Sequence, residues 1–147
     1  MKEKNFQSEF KQKNTVFGAF ELKLCKGTSL PFSSIADHQI EALLDISGRE
    51  GLYYKIADTP VSWQKEEDLA EPKKPFRFTR PAPFDCFFLR AIPAYVVVMF
   101  YKPRAKKNVY YIRVDDFINM VNDADRKSMT EEMAGNYAEH VESYLKG

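Results

Sequence analysis

Apolar and charged residues alternate with a period of two along Ala19-Phe20-Glu21-Leu22-Lys23-Leu24-Cys25, the pattern of a half-buried β-strand. Phe20, Leu22 and Leu24 belong to one face, while Glu21 and Lys23 stand side by side on the other, roughly 6–7 Å apart at Cα. Upstream, Phe6, Glu9, Phe10 and Lys13 recur at helical spacing and predict a short helix over Asn5 to Lys13, followed by a strand from Val16 to Cys25. Ser33 or Ser34 can cap a helix through Ser47, with Ile35, Ile40, Leu43 and Leu44 on its buried side and Gly48 as its stop. Gly51 to Ala57 reads as a strand, which makes strand–helix–strand a parallel crossover.

Asp58 to Pro83 is polar, charged and proline-rich, and reads as a long loop. The apolar runs Phe84 to Arg90 and Ala94 to Tyr101 look like a hairpin, and Val109 to Val114 is a further strand. Asp115-Asp116 can cap a helix over Phe117 to Asn122, and Ser128-Met129-Thr130-Glu131 resembles a capping box that opens a final helix to Leu145. The expectation is one α/β domain over 1–147, a central mixed β-sheet flanked by helices, with a basic, proline-rich loop at 58–83.

Composition changes this picture little, because 44% hydrophobic and 29% charged residues are ordinary for a globular chain. Two cysteines, Cys25 and Cys86, exclude a disulfide framework and a zinc site built on Cys pairs. Met-Lys-Glu-Lys-Asn lacks the apolar core of a signal peptide and no stretch is a membrane span, so a cytoplasmic setting, in a bacterial or phage-infected cell, is expected. Charge placement says more. Residues 1–114 carry 19 Lys/Arg against 13 Asp/Glu, whereas residues 115–142 carry eight acids against Arg126 and Lys127. Two basic clusters, Lys73, Lys74, Arg77, Arg80 and Lys102, Arg104, Lys106, Lys107, suit a polyanion backbone, although solvated loop charge is the plainer alternative.

Glu21 and Lys23 by themselves are better read as a solvated ion pair worth about 0–1 kcal/mol. Glu-x-Lys also occurs at Glu9-Phe10-Lys11 and Glu71-Pro72-Lys73, so the tripeptide is not specific. No Gly-rich phosphate loop is present, and His38 and His140 are too few for a histidine metal site.

The longer run is more specific. Phe20-Glu21-Leu22-Lys23, then Lys26-Gly27-Thr28-Ser29-Leu30-Pro31-Phe32, then His38-Gln39-Ile40, resembles the PD-(D/E)xK nucleases, and among them the Holliday junction resolvases of the bacterial RecU and archaeal types. The resemblance covers residues 5–57. It implies a restriction-endonuclease-like fold and Mg²⁺-dependent hydrolysis of branched DNA, with Mn²⁺ as a substitute, by a homodimer acting in recombination and repair. It assigns metal binding to Glu21, with the Leu22 carbonyl as a further oxygen ligand, and positioning of the attacking water to Lys23. Glu9 would support the metal site and Gln39 would reach the scissile phosphate or Lys23. Lys26, Thr28 and Ser29 would line the DNA, with Lys73, Lys74, Arg77, Arg80, Lys106 and Lys107 as further backbone contacts. The family's aspartate on the preceding strand is missing, since residues 1–20 contain no Asp. Asp85, in Pro83-Phe84-Asp85, is the substitute expected if its strand pairs beside residues 19–25. A nuclease of flaps, ends or foreign duplex, or a catalytically silent DNA-binding module of the same fold, are the alternatives.

Overall fold

A run as apolar and β-branched as Ala-Tyr-Val-Val-Val-Met-Phe belongs in a strand covered on both faces. In the computed structural model, which describes residues 1–55 and 86–144, that run is the central strand and all seven of its residues are buried. The elements in order are α1 (Glu3–Lys13), β1 (Ala19–Cys25), β2 (Ser29–Pro31), a 3₁₀ turn (Phe32–Ser34), α2 (Asp37–Ser47), β3 (Leu52–Lys55), β4 (Cys86–Leu89), β5 (Ala94–Phe100), β6 (Lys107–Arg113), α3 (Val114–Asp123), β7 (Ser128–Thr130), α4 (Glu131–Tyr137) and β8 (His140–Tyr144).

The main sheet is mixed, in the order β1-β5-β6-β8. β1 and β5 are parallel, with Glu21 beside Val96 and Lys23 beside Val98, and the other two pairings are antiparallel. Strand alternation splits the core in two. Ala94, Val96, Val98 and Phe100 face α2, α3 and α4, together with Leu43, Phe117, Met120 and Ala134. Tyr95, Val97 and Met99 face α1, where Phe6 and Phe10 close over them. Phe20, Leu22 and Leu24 of β1 pack into this second layer, which leaves Glu21 and Lys23 on the α2 side. A separate two-stranded ladder, β2 with β7, pins the segment after β1.

The chain divides into two units, Met1–Leu52 with Arg90–Gly147 and, between them in sequence, Tyr53–Leu89. The described part of the second is the ladder of β3 with β4. Several expectations change here. The crossover from β1 through α2 is parallel, but its return strand is β5 and not β3. The strand following Asp85 pairs with β3 in a two-stranded ladder, where a hairpin with β5 was expected. The final helix stops at Tyr137, where Gly135 and Asn136 weaken it, and His140–Tyr144 continues as the fourth strand. The cap falls two residues later than the Ser128-to-Glu131 capping box implied: Ser128 lies in β7, and Thr130 caps the helix by accepting a hydrogen bond from the Met133 amide. Asp115 and Asp116 lie in the first turn of α3, where they complement its dipole, and Arg113 occupies the cap position. Helix α2 begins at Asp37, after the 3₁₀ turn, so neither Ser33 nor Ser34 caps it.

Gly18 admits β1 to the sheet. A Cβ there would lie 2.5 Å from the carbonyl oxygen of Pro93, which is held by the Ala19 amide at 2.8 Å. Gly18→Ala therefore has to push β1 from β5, and we expect it to destabilise by about 1–3 kcal/mol in urea unfolding. A change inside ±0.5 kcal/mol would contradict this contact.

Candidate active site on the outer face of the first strand

Glu21 and Lys23 are held in place from three directions. Behind them, Phe20 meets Phe10 with ring centroids 5.1 Å apart and Tyr95 at 5.8 Å, which fixes the strand's roll. Beside them, β5 sets the register. In front, α2 brings Gln39, whose side-chain N–H donates to a Glu21 carboxylate oxygen at 2.9 Å. The Lys23 ammonium lies 3.6 Å from the same oxygen. Gln39's own carbonyl accepts the Ala36 backbone N–H at 2.9 Å. That second bond fixes the amide's orientation, since a flipped amide would set donor against donor and acceptor against acceptor. The three side chains come from a strand and from the first turn of the helix that crosses back over it.

The pair is only partly screened: the Lys23 side chain is 16% exposed and that of Glu21 27%. A carboxylate held by an ammonium and an amide at a half-covered site is costlier to desolvate than a surface pair, and stays ordered in return.

The backbone adds an acceptor. The Ala19 amide donates to Pro93 and the Cys25 carbonyl accepts from Tyr101. Parallel pairing alternates, so the odd-numbered residues of β1 bond to β5, while the N–H and C=O of Leu22 point to the side on which no described strand pairs. Mg²⁺ takes oxygen ligands, one or two carboxylates commonly sufficing beside waters and substrate phosphates. The Glu21 carboxylate and the outward Leu22 carbonyl fit that donor set. Among the described residues, no three His, Cys, Asp or Glu side chains converge.

The remaining predicted residues divide. Asp85 lies outside the described residues, as do Lys73, Lys74, Arg77 and Arg80. Glu9 is not brought to Glu21: its carboxylate pairs with Lys13 at 2.8 Å, and Lys13 lies over Tyr144 of β8. Three strand spacings, roughly 14 Å, separate β8 from β1. Lys26 and Thr28 are exposed on the loop after β1, whereas Ser29 is half-buried and paired with Thr130. Lys106 is exposed. Lys107 is buried over most of its surface, and its ammonium lies 5.2 Å from the Tyr101 ring centroid, against which it packs. Cys25 is a buried free thiol donating to the Gly27 carbonyl.

Sequence reasoning missed one feature nearby. Lys26 and Thr28 face Tyr101, Lys102 and Glu131 across a cleft of about 420 Å³ at the C-terminal ends of β1 and β5. The basic cluster containing Lys102 was visible, but its place beside Lys26 depends on the parallel pairing of β1 with β5. A larger cleft of about 520 Å³, between the 3₁₀ turn, α2 and α3, contains neither Glu21 nor Lys23.

No family model, curated protein or solved structure matches the chain. Among the described residues, no helix is long and apolar enough to cross a membrane.

Proposed function

We propose that the chain is a Mg²⁺-dependent endodeoxyribonuclease of the PD-(D/E)xK type, with a restriction-endonuclease-like core, acting on branched DNA as a Holliday junction resolvase. The observation that carries this reading is the meeting of Glu21, Lys23 and Gln39. These are the residues the resemblance singles out, and Gln39 is 18 positions away in sequence. A solvated ion pair accounts for Glu21 and Lys23 but gives no reason for a helix to deliver an amide to the same carboxylate oxygen.

When bound, Mg²⁺ would neutralise phosphate charge and make water acidic enough to attack. Glu21 and the Leu22 carbonyl would hold it. Lys23, with three N–H donors, orients the attacking water and offsets the charge gathering on the phosphate as the bond to the leaving sugar oxygen breaks. Gln39 is a positioning residue, keeping Glu21 turned to the open side of the strand. A four-way junction is two-fold symmetric, so a homodimer presenting two such sites suits paired cuts. The setting is the cytoplasm, where recombination and repair intermediates lie.

A catalytically silent DNA-binding module of this fold is the second reading, favoured by the single carboxylate that the described residues place at the site. Incubating the protein with synthetic four-way junction, flap and linear duplex in Mg²⁺ decides between them. Paired symmetric cuts in the junction are expected. Cutting of linear duplex without junction preference defeats the resolvase reading, and binding without any cleavage establishes the silent module.

Gln39→Ala frees Glu21 and leaves the Ala36 amide unpaired. We expect cleavage to fall about tenfold with a raised Mg²⁺ requirement, the size of effect seen when a supporting partner of a metal ligand is lost. An unchanged Mg²⁺ titration would remove Gln39 from the site.

A further inference from the structure

The cleft between the loop after β1 and the end of β5 has the parts of a nucleotide site. Lys26 and Lys102 offer ammonium groups, Thr28 a hydroxyl, and Tyr101 an aromatic wall. The residue is set from two sides, by the Tyr101 amide bonded to the Cys25 carbonyl at 2.8 Å and by the Lys107 ammonium 5.2 Å from the ring centroid. Glu131 holds Lys102 at the cleft at 2.9 Å, and that exposed pair is weak enough for a phosphate to replace the carboxylate. A volume of about 420 Å³ falls within the range of small-ligand sites.

Cys25 follows Glu21 by four residues, so the cleft begins roughly 13 Å along the strand from the candidate active site. That is about four stacked nucleotides of one DNA strand, at 3.4 Å each. We propose that this cleft receives one unpaired nucleotide of the cleaved strand, its phosphate on Lys26 and Lys102 and its base against Tyr101. The inference rests on the nuclease reading and deepens it, since a strand that leaves its duplex at a branch point, where pairing opens, is what separates branched DNA from linear duplex. Aromatic stacking with flanking lysines is tolerant of base identity, so the site selects strand state over sequence.

The test is fluorescence anisotropy, in chelator so that nothing is cut, with a forked DNA carrying unpaired arms and a linear duplex of matched length. Tyr101→Leu should weaken fork binding by about 5- to 150-fold, the range for one stacked base, and leave duplex binding unchanged. Tyr101→Phe should retain wild-type affinity for both. Lys26→Ala, at an exposed position that cannot unfold the protein, should reduce the salt slope on the fork by about 0.7. Equal losses on fork and duplex, or no loss on the fork, overturn the proposal. Junction cleavage by a wild-type protein whose Tyr101→Leu variant binds forks normally rejects the cleft alone. Tyr101-dependent fork binding without cleavage of any DNA rejects the nuclease reading and keeps the cleft.

Discussion

Glu21→Gln is expected to abolish the proposed Mg²⁺-dependent cleavage of a four-way junction, lowering the rate by at least about 10³-fold while leaving junction binding intact. The substitution keeps the size and one oxygen that can accept from Gln39, so Gln39 and β1 stay in place, while the negative charge that would hold the metal is lost. Lys23→Ala costs about 10²–10⁴-fold by removing the donor that positions water. Its cleavage should not recover as Mg²⁺ is raised, because the lysine does not bind the metal. Glu9→Ala is the contrasting variant. Its carboxylate serves Lys13 in the α1 layer, so junction cleavage should remain within about twofold of wild type. Full activity in Glu21→Gln would end the assignment of this face as an active site, and a large loss in Glu9→Ala would require α1 to reach the strand in some other way.

The largest effect on stability is expected from Phe10→Ala, about 3–5 kcal/mol in urea unfolding and roughly 6–20 °C in thermal melting. Phe10 is 5% exposed and its ring meets Phe6, Phe20 and Tyr111, so truncation opens a cavity shared by α1, β1 and β6. Little can collapse into it. Tyr111 is fixed by its hydroxyl, which donates to Asn14, and by its packing against Phe20 and Tyr95. Burial first, and then the charge of Glu142, push its phenol well above the ordinary range, so it remains a neutral donor. A loss under 1 kcal/mol would mean that α1 contributes little to holding β1. Because Phe20 directly precedes Glu21, the variant should also lower junction cleavage when assayed below its melting temperature.

Local pattern made some elements legible because their reasons are local. The period-two run of β1, the helical spacing of Phe6 and Phe10, and the all-apolar β5 each state which faces are covered. Failures came where a neighbour decides. The Ser128–Leu145 segment reads as one helix by its capping box, yet Met129 is drawn into a ladder with Leu30 and Tyr144 into the layer under β6. Pairing with β6 and β2 outweighs the weak helix propensity of Gly135 and Asn136.

At the candidate site the same division holds. Glu21 and Lys23 share a face because side chains alternate along any strand, and the chain alone determines that much. Which side of the sheet that face takes, and whether the Leu22 carbonyl is turned outward, depend on β5 pairing in parallel at one register. Gln39 was visible as a residue near a helix start, but its contact with Glu21 exists only because α2 crosses back over β1. Lys107 was read as one more surface cation, and tertiary packing put it beneath Tyr101. Sequence determines the faces of elements, because that geometry is built into each backbone period. Partners across the sheet and across the crossover follow from long-range packing, which no local period contains.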